Sequence, residues 1–134
     1  MEKGLYRIID ANFNRAKEGL RVCEDISRYV WNQKVLTGSF KKLRHQLTQV
    51  VAELNILKLL QGRQAERDVG RPSTKSEFKR KDVLAVFFAN TQRVKESLRV
   101  LEETIKLLNP SAAEEIKTLR YRMYVLEQKA VKRR

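Results

Sequence analysis

The chain has 134 residues, 42% apolar and 34% charged, which is enough for one modest hydrophobic core and not for two. Its 29 lysines and arginines against 16 aspartates and glutamates give a net charge of +13, so its partner should be anionic: nucleic acid, an anionic membrane or a phosphorylated small molecule. Composition excludes a disordered basic tail, a disulfide framework (one cysteine, Cys23) and a structural zinc site (one histidine, His45).

From Leu5 to Val30, the positions Leu5, Ile8, Ile9, Asn12, Ala16, Gly19, Leu20, Cys23, Ile26 and Val30 recur at steps of three and four, the period of one helix face. That face is apolar except at Asn12. A second helix is predicted through Phe40, Leu43, Leu47, Val50, Val51, Leu54 and Leu57, with Gly38 and Ser39 as a break and N-cap before it and an end near Gly62. The pattern then lapses over a long loop, 62–80, rich in charges and carrying Gly70, Pro72, Ser73, Thr74 and Ser76. A third helix follows through Val83, Phe87, Asn90, Val94, Leu98, Leu101, Ile105 and Leu108, stopping at Asn109-Pro110. The fourth carries Ile116, Leu119, Met123, Leu126 and Ala130 after a Ser111 cap, and frays into a solvated basic tail, Lys132-Arg133-Arg134. None of the apolar runs is long enough to span a bilayer, and the acidic start at Glu2 is unlike a signal peptide, so a cytoplasmic location is expected.

The chain also repeats itself. ANFNRAKEGLRVCED, Ala11 to Asp25, aligns without gaps with ANTQRVKESLRVLEE, Ala89 to Glu103, and nine of the fifteen positions are identical. The match continues at an offset of 76, where Leu43-Arg44-His45 parallels Leu119-Arg120-Tyr121. Residues 1–134 should therefore form one all-α domain, a four-helix bundle of two duplicated hairpins, about 5–62 and 81–131, with pseudo-twofold symmetry.

What the repeat kept is mostly polar: Asn12 and Asn90, Arg15 and Arg93, Glu18 and Glu96, Arg21 and Arg99, Glu24 and Glu102. A unit held only by packing would keep its apolar stripe and let its polar face drift. Asn12 and Asn90 interrupt apolar stripes, so each amide needs a partner, since leaving one unpaired costs about 1 to 3 kcal/mol. That partner is either the other hairpin or a ligand, such as a polar ring or a phosphate. Asn12, Arg15 and Gly19 line one helix edge as a shallow notch, repeated as Asn90, Arg93 and Ser97. Asp10, Asn14, Glu18, Arg21 and Asp25 form a second stripe, read either as a solvated face of i,i+4 pairs or as a carboxylate and arginine cluster suited to phosphate and Mg²⁺. In the loop, Arg67-Asp68-Val69-Gly70-Arg71 sets one carboxylate and one glycine among arginines. No GxxxxGK[ST] and no GxGxxG occurs. His45 reads as an edge residue and Cys23 as a small core hydrophobe.

YRIIDANFNRAKEGLRVCEDISRYV, Tyr6 to Val30, resembles the opening motif of the small kinase domains that phosphorylate hydroxymethylpyrimidine monophosphate in thiamine biosynthesis, alone or fused ahead of thiamine-phosphate synthase. The likeness runs on through Leu43-Arg44-His45, Asp68-Val69-Gly70, Ala89 to Glu103 and Leu119-Arg120-Tyr121, and so covers nearly the whole chain. It implies transfer of the ATP γ-phosphate to the monophosphate, with the free alcohol not accepted. By position it carries over Asp10, Asn12, Asn14, Arg15, Glu18, Gly19, Arg21, Asp25, Arg44, His45, Asp68, Gly70, Asn90, Arg93, Glu96, Arg99 and Glu103. The chain departs from the family pattern at Gln64-Ala65-Glu66-Arg67 and at Arg71.

With that chemistry, Arg15, Arg93 and Asp68 are expected at the reacting phosphates. Asn12, Gly19, Arg21, His45, Asn90, Glu96 and Arg99 are expected around the pyrimidine phosphate, with Arg21 and Arg99 also placed to brace carboxylates. Arg44, Asp68 and Gly70 fall to the nucleotide, and Glu18 and Asp25, with Asp68, to Mg²⁺. The expected partners are the phosphorylated pyrimidine, ATP, a functional link to thiamine-phosphate synthase and a second copy of the chain, with no membrane. A helical RNA- or DNA-binding module is the rival reading, disfavoured because the retained glutamates would repel a phosphate backbone. A bundle mutase binding a dicarboxylate fits the composition but not the motif.

Overall fold

The computed structural model describes residues 2–54 and 80–133. The predicted end of the second helix near Gly62, the loop 62–80 with Asp68 and Gly70, and Leu57 lie outside or largely outside the described residues.

The architecture is all-α, and among the described residues there is no strand. Helix α1 spans Glu2–Asp25 and runs straight into a π-helical turn, Ile26–Val30, steadied where the Ser27 hydroxyl donates to the Cys23 carbonyl at 2.8 Å. Asn32, at φ 52°, ends it; asparagine is one of the few residues that tolerate this left-handed conformation. Helix α2 then begins at Lys34 and runs to Ala52. The expected break at Gly38-Ser39 is therefore interior to α2, with the Ser39 hydroxyl donating to the Val35 carbonyl. The reversal is made by Asn32, and one glycine inside a helix costs only about 1 kcal/mol.

Helix α3, Val83–Ile105, is capped by Asp82, whose carboxylate accepts from the Ala85 amide at 2.7 Å. Helix α4, Pro110–Val131, is capped by Asn109 and not by Ser111: the Asn109 side chain accepts from the Ala112 amide at 3.1 Å. Pro110 thus opens α4 at N1, where its missing N–H costs nothing, and α3 ends before it in a turn over 106–108.

Within each hairpin the helices are antiparallel: α1 meets α2 at Glu24 and Arg44, and α3 meets α4 at Glu102 and Arg120. The hairpins join by α1 against α3 and by α2 against α4. Gly19 of α1 lies beside Asn90 and Val94 of α3, and Trp31 stacks on Phe87 with ring centroids 4.9 Å apart, so this pair is also antiparallel. Ile9, Leu20, Phe40, Phe87, Leu98 and Met123 are wholly enclosed between the four helices.

The hairpins approach each other closely at Gly19. A β-carbon there would stand 2.7 Å from Val94 Cγ2 and 3.1 Å from the Asn90 carbonyl oxygen. The notch expected beside Gly19 is therefore filled by α3. Alanine at an exposed helical glycine would gain about 1 kcal/mol, but forcing α1 and α3 apart in a packed core costs about 1 to 3 kcal/mol. Gly19→Ala should lower the thermal midpoint by several degrees in a circular-dichroism melt; an unchanged or raised midpoint would contradict this approach.

Candidate functional site

The α1–α3 contact gathers the repeated polar residues into a seam. Asn12 is buried and Asn90 half-buried, and each amide nitrogen donates to a carbonyl of its own helix one turn back, Asn12 to Ile8 at 2.9 Å and Asn90 to Val86 at 2.8 Å. One N–H of each amide is thus satisfied within its own helix, and the bond pins both side chains in one orientation. The second N–H and the oxygen of each amide are left, and the Asn12 oxygen receives a long contact from Arg15 Nη1 at 3.5 Å.

Arg15 and Arg93 are exposed. At about 100° per residue, each sits about 40° beyond the small residue of its own helix, Gly19 or Ser97, on the side away from the hairpin partner. With Gly19 against Asn90 and Val94 in an antiparallel pair, the two arginines are level to within about one turn. Both therefore flank the outer edge of the same seam. Among the described residues Arg93 has no hydrogen-bond or ion-pair partner.

The remaining retained charges form two clamps elsewhere. Buried Glu24 takes Arg44 Nε of α2 at 3.0 Å and Arg21 of its own helix at 3.9 Å, with Arg21 also 3.9 Å from Asp25. Buried Glu102 takes Arg120 Nε of α4 at 2.7 Å and Arg99 at 3.1 Å, with Arg99 also 3.0 Å from Glu103. The Glu102 hydrogen bond raises the already high pKa of Arg120, so that guanidinium stays charged. Along antiparallel helices the clamps lie toward opposite ends of the bundle, roughly 20 to 25 Å apart. One phosphoryl-transfer centre cannot contain both, and Arg21, Arg44 and Arg99 are occupied in bracing buried carboxylates.

Asn14 donates to the carbonyl oxygen of Asp10 at 2.9 Å and to its carboxylate at 3.3 Å, so the second stripe is laced by i,i+4 contacts. Glu18 is exposed, and Glu96 accepts from Gln92 at 3.0 Å. Glu18 and Asp25 are two turns apart, about 10 Å, and cannot ligate one ion. Among the described residues no group of three or more His, Cys, Asp or Glu comes together to hold a metal. A magnesium ion keeping its waters and binding phosphates needs only one such carboxylate, and Glu18 suits that. His45 lies on the outer surface of α2, away from the seam, beside Lys41 and Lys42. Asp68 and Gly70 lie outside the described residues.

Several contacts leave no trace in the periodicity of one chain. Lys95 pairs with Glu127 at 3.1 Å and lies over the Tyr124 ring, a contact whose counterpart in the first half, at the offset of 76, is the apolar Val51. Cys23 is buried as expected; burial first, and the Glu127 charge second, push its thiol up to about 12, so it is inert at neutral pH. Arg133, expected in a loose tail, covers Trp31 with its guanidinium 3.5 Å from the ring centroid. Tyr121 and Tyr124 lie against each other on the surface of α4.

Fold and seam together define an all-helical, internally duplicated protein with two exposed arginines along the outer edge of its α1–α3 contact. The chain belongs to the ThiD2 family, whose profile matches residues 7–129. It is 42% identical over 125 residues to the thiamine-phosphate synthase of Thermosynechococcus vestitus, covering 92% of this chain and 34% of that one. To the thiamine-phosphate synthase of Synechocystis it is 43% identical over 122 residues, 90% of this chain and 34% of the relative. To that of Rhodopirellula baltica it is 40% identical over 119 residues, 88% of this chain and 32% of the relative. The chain thus spans about a third of the length of the curated relatives it matches. No solved structure matches it. Among the described residues no helix is long and apolar enough to cross a membrane.

Proposed function

We propose that this protein acts in thiamine biosynthesis as a kinase that transfers the γ-phosphoryl group of ATP to hydroxymethylpyrimidine monophosphate. The product diphosphate is the substrate that a thiamine-phosphate synthase consumes, which accounts for such a domain recurring within proteins of that name. The observation that carries the reading is the seam: Arg15 and Arg93, retained by the repeat, exposed and level with each other, beside two asparagines whose orientation is fixed.

The acceptor is a phosphate oxygen, already anionic, so the reaction needs no strong base. One P–O bond forms to that oxygen, the bond from the γ-phosphorus to the β–γ bridging oxygen breaks, and ADP leaves with the electron pair. What the site must supply is positive charge on the equatorial and bridging oxygens and a fixed approach. Arg15 and Arg93 provide forked donors for both phosphate groups. The asparagine amide oxygens can accept from the exocyclic amine of the pyrimidine, each side chain being held in one orientation by its bond to its own helix. When ATP is bound as its magnesium complex, the metal would neutralise phosphate charge, and Glu18, exposed on α1, would hold it. The free alcohol lacks the anchoring phosphate and would leave two arginines facing each other without a counter-charge.

Incubating the purified chain with ATP and either the monophosphate or the free alcohol, and following ADP release, tests this. Turnover with the monophosphate and none with the alcohol is expected; no ADP from either refutes it.

A further inference from the structure

On the side of the bundle away from the seam, α2 and α4 lie next to each other with an open groove between them. Arg122 spans it at mid-length, donating to the Gln46 side-chain oxygen at 2.6 Å. On either side lies a hollow of about 300 Å³. One is floored by Leu126 and edged by Lys42, Val125 and Lys129; the other is floored by Val50 and Leu119 and edged by Glu53 and Glu115. The groove is therefore basic at one end and acidic at the other. At the offset of 76, Glu53 and Lys129 are corresponding positions that carry opposite charges. All four charged side chains are exposed, and among the described residues none is in an ion pair. Val125 is 48% exposed at the rim.

We infer that this face is an interface between two copies of the chain, packed about a twofold axis that lies in the interface and crosses the groove at mid-length, where each Arg122 is held by Gln46 of its own chain. A half-turn about that axis brings the basic end of one groove onto the acidic end of the other, twice per dimer, as an isologous contact requires. A nucleic acid or a uniformly acidic peptide would meet Glu53 and Glu115 and be repelled at that end. A second copy satisfies both ends. The charges fix register and orientation, while Val125, Leu126 and Leu119 supply the apolar contact. Two helices about 28 Å long and about 10 Å across each offer roughly 550 Å² per copy, the low end for a specific interface, so the dimer is weak and reversible. It leaves both α1–α3 seams on its outer surfaces.

Sedimentation equilibrium of the full chain from micromolar to millimolar concentration tests this with two charge-reversed variants. Lys42→Glu with Lys129→Glu makes both ends acidic; Glu53→Lys with Glu115→Lys makes both ends basic. The unaltered chain should show a monomer–dimer equilibrium, each double variant alone should be monomeric, and an equimolar mixture of the two should dimerise again. Circular dichroism checks that helix content is kept; if a double variant loses it, the single change Val125→Glu gives the same readout. An unaltered chain that stays monomeric throughout overturns the inference. So does a variant that dimerises as strongly as the unaltered chain, or a mixture that stays monomeric.

Discussion

Arg93→Ala should lower turnover of the monophosphate by about 100- to 1,000-fold, the usual loss when one preorganised donor to a developing phosphate charge is removed. The fold should not notice. Arg93 is exposed and, among the described residues, makes no hydrogen bond or ion pair, so nothing that holds α3 to its neighbours is lost. Arg15→Ala should fall in the same range, since its one contact is the 3.5 Å approach to Asn12. Arg93→Lys keeps the charge but not the planar fork and should recover only part of the rate. Steady-state kinetics beside a thermal melt separates the two effects. Activity within threefold of the unaltered chain would remove Arg93 from the site.

Glu102→Ala acts on the opposite property. It leaves the Arg120 guanidinium, largely buried against α3, without the carboxylate that it meets at 2.7 Å, and releases Arg99 as well. Removing one partner of a buried pair costs about 3 to 5 kcal/mol, because the remaining charge is left uncompensated. For a chain of this size the thermal midpoint should drop by roughly 10 °C or more. Glu24→Ala should cost less, since Arg21 stands 3.9 Å from Glu24 where Arg99 is 3.1 Å from Glu102. Urea denaturation of both variants measures the difference. A loss under about 0.5 kcal/mol for Glu102→Ala, the range of ordinary surface changes, would show that the clamp contributes nothing to the fold.

The four helices, their pairing into hairpins and the retention of Asn12, Arg15, Asn90 and Arg93 were legible because helical period and internal repetition are local signals. The reversal at Asn32 was not, since a single residue at positive φ inside a π-helical turn leaves no periodic trace, and Gly38-Ser39 offered a more familiar but incorrect boundary. The Asn109 cap leaves no distinct signal, because a proline that cannot continue α3 equally well opens α4. Gly19 was recognised as a missing side chain, but a sequence does not say whether a ligand or a neighbouring helix fills the gap; Val94 does. The same limit applied to Arg21, Arg44 and Arg99. Their residue type suited a phosphate; Arg21 and Arg99 meet carboxylates three and four residues along their own helices, whereas only the packing of α2 on α1 brings Arg44 to Glu24. The seam, by contrast, needed both sources, the repeat to mark its residues and the antiparallel crossing to bring them level.

Phosphorus NMR of the purified chain with magnesium, ATP and hydroxymethylpyrimidine monophosphate tests the central claim most directly. The account predicts that the monophosphate resonance gives way to the two coupled resonances of a diphosphate ester, with ADP formed in equal amount. ATP and monophosphate resonances that stay unchanged at stoichiometric protein, or ADP appearing with inorganic phosphate and no diphosphate ester, would contradict it.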